Sequence, residues 1–222
     1  ALPYPVLAPF FLDPDAANAL TRFAGLPPKV LLGILLALSP LGILLGSSFI
    51  GAISDLYGRK PVLIITLLLA AAGYGVTGYA VQIESYPLFA LARLVTGICE
   101  GNIAVSRAIA LELHPAIDRT RAITLLYSTS YAGWLAGPLA GGYLMTLGVA
   151  EVFYIAGAVT IVATAVTQVA IVAPAGNAGK RGSLLQAVAQ NNSLGLLRLV
   201  DIRPFIIYHL LYSLGLNAFY EF

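Results

Sequence analysis

At 222 residues, with 59% apolar and 10% charged residues and a formal net charge of +2, the chain is too apolar for an ordinary water-soluble domain, where about 45–50% and about 25% are usual. At about 20 apolar residues per bilayer-spanning helix there is room for roughly six or seven spans, and the apolar runs are continuous rather than alternating, which excludes a membrane β-barrel. The basic residues sit at the ends of those runs instead of in one stripe, which excludes a nucleic-acid partner, and the lone Cys99 excludes a disulfide framework or a thiolate metal cluster.

The chain opens inside an apolar run, Ala1 to Leu12, punctuated by Pro3, Pro5 and Pro9. It reads as the second half of a first span, because a signal peptide would carry a basic flank and a small-residue cleavage site. Two complete spans are then expected over Val30–Ile53 and Val62–Val81. The segment that joins them, Gly51 to Leu63, holds Asp55, Gly58, Arg59, Lys60 and Pro61. Gly58 permits a left-handed turn, Pro61 suits the first turn of a new helix, and Arg59 with Lys60 anchors a cytoplasmic interface. Asp55 does not fit a plain anchor, since an acid at a helix C-terminus opposes the dipole and needs a partner.

The fourth span, Tyr86–Leu111, carries Arg93, Glu100 and Arg107 at intervals of seven. Seven residues at about 100° each return to nearly the same helix face, so the three form a ladder with rungs roughly 10 Å apart. Charges at that depth cost several kcal/mol when bare, so this face is expected to look into the bundle or an aqueous cavity. A fixed ion pair that only locks helices together is the bland alternative, and Arg107, nearest the cytoplasmic end, is a candidate for snorkelling.

The fifth span, Ala122–Leu147, contains Gly133, Gly137 and Gly141 four apart, with Pro138 and Gly142 beside them. That spacing makes a flat ridge where another backbone can approach, and Pro138 removes one helix hydrogen bond and bends the rod. A sixth span is expected over Val152–Val172. The stretch that follows, rich in Gly, Pro, Asn, Lys and Arg, reads as a linker over 174–202, with Ser183 to Val200 either a short interfacial helix or irregular chain. Residues 203–222 read as the start of a seventh span, in which Tyr208 and His209 are candidate pathway-lining residues together with Arg107 and Tyr131. If the Gly58–Lys60 loop is cytoplasmic, eight of the twelve basic residues fall on that side and only Arg22 and Lys29 on the other, which places the N-terminus in the cytoplasm.

Three of these segments carry a resemblance to the major facilitator superfamily, in particular to its twelve-span drug:proton antiporters. Gly51, Asp55, Gly58, Arg59, Lys60 and Leu63 match the superfamily's loop signature between second and third spans, with Leu56 standing where a basic residue is usual. Arg93-Leu94-Val95-Thr96-Gly97 resembles its fourth-span R-x-x-q-G pattern, with Thr96 for Gln, and Gly133 to Gly142 resembles the antiporter-associated g-x-x-x-G-P-x-x-G-G. The proline pair Pro5 and Pro9 is spaced one residue wider than in the drug antiporters, and the Pro-Glu-Ser-Pro-Arg element of sugar porters does not follow the sixth span.

The resemblance implies an all-α membrane protein of the plasma (inner) membrane: a six-helix bundle over 1–173, built from inverted three-helix repeats, joined to a C-terminal half that completes the substrate path. It further implies alternating-access transport with a cytoplasmic gate at Gly51, Asp55, Gly58, Arg59 and Lys60. Proton coupling falls to Arg93, with Glu100 as the acid best placed to exchange a proton with it. The expected partners are protons, a small organic substrate and lipid, and neither cofactor nor metal is called for. A facilitator or symporter of the same fold remains open at this level. So does a membrane enzyme or scaffold, although no HExxH, paired-cysteine or nucleophile-elbow constellation is visible.

Overall fold

The computed structural model describes residues 3–13, 18–112 and 116–171, and the pairs 203–204, 207–208 and 211–212. Among them all regular structure is helical: α1 (Pro3–Leu12), α2 (Pro28–Tyr57), α3 (Arg59–Gln82), α4 (Tyr86–Glu100), α5 (Ile103–Glu112), α6 (Arg119–Leu144), a 3-10 turn over Met145–Leu147, and α7 (Val149–Ala170). The linker and interfacial helix expected over 174–202, and His209, lie outside the described residues.

Helix starts follow local chemistry. Pro28 occupies the first turn of α2, where its missing N–H is no loss. Gly58, at φ +94°, lets α2 end and α3 begin with a single residue between them. Asp118 caps α6 by accepting hydrogen bonds from the Thr120 and Arg121 backbone N–H groups, at 3.0 and 3.3 Å.

Among the described residues, four helices are long and apolar enough to cross a membrane: α2, α3, the α4–α5 pair taken together as Tyr86–Glu112, and α7. The 26-residue α6 has the length without the apolarity, because Ser128, Thr129, Ser130 and Tyr131 interrupt its run. It is also the least covered of the long helices, with only Ala122 and Gly141 buried. The expected fifth span is therefore present as a helix, but with a polar content that contact with lipid on all sides would disfavour.

The bundle is organised by close pairs. α3 packs most extensively on α7, and α4 packs on α2 and α3. The α2–α4 crossing is lined by glycine on both sides. A side chain at Gly42 would overlap the Leu94 carbonyl, at Gly46 the Ile98 carbonyl, at Gly97 the Ser39 carbonyl, and at Gly101 the Ser47 amide. Backbone meets backbone there, which maximises dispersion contact where no hydrophobic effect drives helices together.

Two apolar clusters hold the two ends. One gathers Leu7, Phe11, Leu31, Leu35, Phe89 and Phe153, with the Tyr86 hydroxyl donating to the Leu31 carbonyl at 2.9 Å. The other gathers Ile50, Val62, Leu63, Val105 and Ile109. Polar groups of α3 and α4 occupy the level between them.

The fourth span is irregular midway. After Glu100 the helix tightens into a turn, with the Gly101 amide bonded to Gly97 and Ile98 carbonyls and the Asn102 amide to that of Cys99. A new helix starts at Ile103. The Asn102 side chain ties the turn to α3 by donating to Thr66 Oγ1 at 3.1 Å.

Candidate functional site

The loop between α2 and α3 forms a small charge network. Arg59 Nη2 lies 3.4 Å from Asp55 Oδ1, one turn back, and Arg59 Nε lies 2.8 Å from Glu112 Oε1 at the end of α5. One guanidinium thus answers the unfavourable acid at the α2 C-terminus and pins the far end of the fourth span. Asp55 finds the partner its position demands. Glu112 is the member that the sequence pattern alone did not assign, since it sits 53 positions from Arg59.

Lys60 Nζ donates to the Gln168 carbonyl at 2.8 Å, placing a cation at the C-terminal end of α7. Gly51 meets nothing within 4 Å of where a side chain would stand.

A second cluster lies midway along α3 and α4. Arg93 is 4% exposed, and its Nε and Nη1 have no hydrogen-bond partner among the described residues. Glu100 is half-buried, and its Oε1 accepts a hydrogen bond from the Tyr74 hydroxyl of α3. The Arg93 guanidinium approaches the same hydroxyl, so Tyr74 stands between the two charged groups of α4. Arg93 and Glu100 share a face, as their spacing predicts, and that face looks into the bundle. Arg107, past the break, does not join them: it is exposed, with its guanidinium 5.2 Å from the Tyr127 ring centroid of α6.

The glycines of α6 are placed differently from one another. Gly141 is buried and Gly137 half-buried, whereas Gly133 and Gly142 have nothing within 4 Å of a side-chain position. Pro138 lies inside the helix, exposed. Tyr131 is 69% exposed on α6, and Tyr208 is 65% exposed and stacked on Tyr212 at 6.2 Å. No group of three or more metal-ligating side chains comes together among the described residues.

Comparison with known proteins agrees with this architecture. The chain is 38% identical over 112 residues to the class C tetracycline resistance protein of Escherichia coli, covering 50% of this chain and 28% of that protein. It is 29% identical over 130 residues to the class B tetracycline resistance protein of Escherichia coli, covering 59% and 32%. To the multidrug resistance protein 2 of Bacillus subtilis (strain 168) it is 26% identical over 193 residues, covering 85% of this chain and 47% of the relative. The chain thus spans less than half the length of these relatives. The model of the Major Facilitator Superfamily matches residues 9–222. With that match, and with described helices long and apolar enough to cross a membrane, the chain belongs to the major facilitator superfamily.

Proposed function

We propose that the chain forms the N-terminal half of a proton-coupled antiporter that exports small organic compounds by alternating access. The observation that carries this reading is the Arg93–Glu100 face of α4. A guanidinium buried to 4% exposure and a carboxylate one hydroxyl away are costly to hold within a bilayer-spanning element. Such groups mark proton and substrate paths, and relatives named for tetracycline and multidrug resistance favour export of organic compounds.

In this reading Asp55, Arg59, Lys60 and Glu112 form the inner latch, with Gly51 and Gly58 shaping its loop. The α6 face bearing Gly133, Gly137, Pro138, Gly141 and Gly142 receives a helix of the C-terminal half. Residues 174–202 link the halves, 203–222 begin the seventh span, and the N-terminus is cytoplasmic. Arg107, Tyr131, Tyr208 and His209 border the substrate path.

The test is flux in liposomes containing the full-length protein, with tetracycline as the first compound tried. Glu100→Gln is expected to abolish exchange driven by a pH gradient while leaving downhill counterflow intact. Retention of pH-driven exchange would reassign the intramembrane charge to substrate binding, as in a facilitator. Absence of any solute movement for the unmodified protein would remove the transporter reading altogether.

A further inference from the structure

The Tyr74 hydroxyl of α3 touches the charged face of α4 at Glu100, and the helix is shaped to bring it there. Gly73 has no side chain, and one would overlap Thr96 Oγ1, so α3 and α4 approach closely beside Tyr74. Thr96, fully buried, spends its own hydroxyl on the Ala92 carbonyl at 2.7 Å and leaves Glu100, one turn on, to Tyr74. At the base of the side chain, Gly157 of α7 lets α7 approach, with its side-chain position 3.5 Å from Tyr74 Cβ. The side chain thus leaves α3 where α7 packs on it, and its hydroxyl reaches Glu100 of α4.

We propose that Tyr74 is the positioning residue for Glu100: its O–H donates to the carboxylate, fixing its orientation within the bundle and favouring its charged form over its neutral one. This rests on the coupling role of Glu100 proposed above. An ionised carboxylate only accepts, so Tyr74 donates to it with the strength of a bond to a charged group; a protonated carboxyl keeps an acceptor oxygen, but the bond to it is a weaker, neutral one. Removing the hydroxyl therefore costs the charged form of Glu100 more than the neutral form.

The other groups facing Glu100 leave this pair to decide the response. α2 brings the Ser47 and Ser48 hydroxyls to this level, with no charge between Lys29 and Asp55. α3 has none between Lys60 and Gln82, and on α7 the sole charged residue is Glu151, at the opposite end from Gln168. On α4 and α5 the neighbours are Arg93, the buried Cys99 thiol and, past the break, Arg107.

The experiment uses the full-length protein in liposomes. Infrared difference spectra over a pH series follow the protonated carboxyl of Glu100, assigned as the band that Glu100→Gln removes. In Tyr74→Phe the midpoint of that band moves to higher pH by about one to two units, the effect of losing one hydrogen bond to a charged group. Gly73→Ala, which keeps the hydroxyl but pushes α3 from Thr96, moves it the same way by less, and serves in its place if Tyr74→Phe is not recovered folded. An unmoved midpoint overturns the inference. If the midpoint moves but Glu100→Gln still supports pH-driven tetracycline exchange, the coupling reading has failed and the local role of Tyr74 stands.

Discussion

Glycines four residues apart occur in two regions of this chain, and the structure treats them in opposite ways. At the α2–α4 crossing, Gly42 and Gly46 face Gly97 and Gly101, and a side chain at each would run into the neighbouring backbone. Along α6, Gly133 and Gly142 face open space, while Gly141 is covered and Gly137 partly so. A spacing of four makes a flat helix face in both places. Whether that face is a contact depends on what the rest of the chain brings to it, and among the described residues the α6 face is covered for only part of its length.

The sharpest way to break the comparison is to add a methyl group on each side. Gly46→Ala and Gly97→Ala should each cost about 1–3 kcal/mol through forced separation of two backbones, read as a lower melting temperature in detergent. An unchanged melting temperature would mean that the crossing is looser than it looks. Gly33→Ala on α2, with nothing nearby, and Gly133→Ala on α6 should instead gain up to about 1 kcal/mol from helix propensity.

Gly133→Leu sharpens the contrast. It should leave the melting temperature of this half nearly unchanged yet abolish transport by the full-length protein if another helix lies on that face. Wild-type flux in this variant would leave the ridge without a partner.

Smaller effects are expected at the charged latch, which joins neither ridge. A double-mutant cycle on Arg59 and Glu112 should give a coupling of about 0.5–1 kcal/mol, because both side chains are partly exposed. Lys60→Met, which removes the donor to the Gln168 carbonyl, should cost less than about 1 kcal/mol.

Much of the helical plan was legible because apolar runs of bilayer length have few other uses. The expected Val30–Ile53 and Val62–Val81 became Pro28–Tyr57 and Arg59–Gln82, extended by polar ends that an apolar run does not include. The turn at Gly101–Asn102 was not legible, since the seven-residue ladder assumes one regular helix, and Arg107, past it, lies over the Tyr127 ring of α6. Arg59 was marked by its motif, whereas its pairing with Glu112 was not, because the pair is made only when the fourth span returns to the same end of the bundle. Tyr74 was hidden as an aromatic in an apolar run; the Gly73-Tyr74 pair opposite Thr96 and Glu100 was the available signal, readable only once α3 is known to lie on α4.

The interruption at Gly101–Asn102 turns α5 into a lever. Its ten residues, at 1.5 Å each, make an arm about 15 Å long, pivoted next to Glu100 and ending at Glu112. A swing of about 10° at the pivot would carry the tip roughly 3 Å. The Arg59–Glu112 pair, closed at 2.8 Å, would be pulled apart by that displacement, which would also have to carry Val105 and Ile109, the α5 side chains buried in the second apolar cluster.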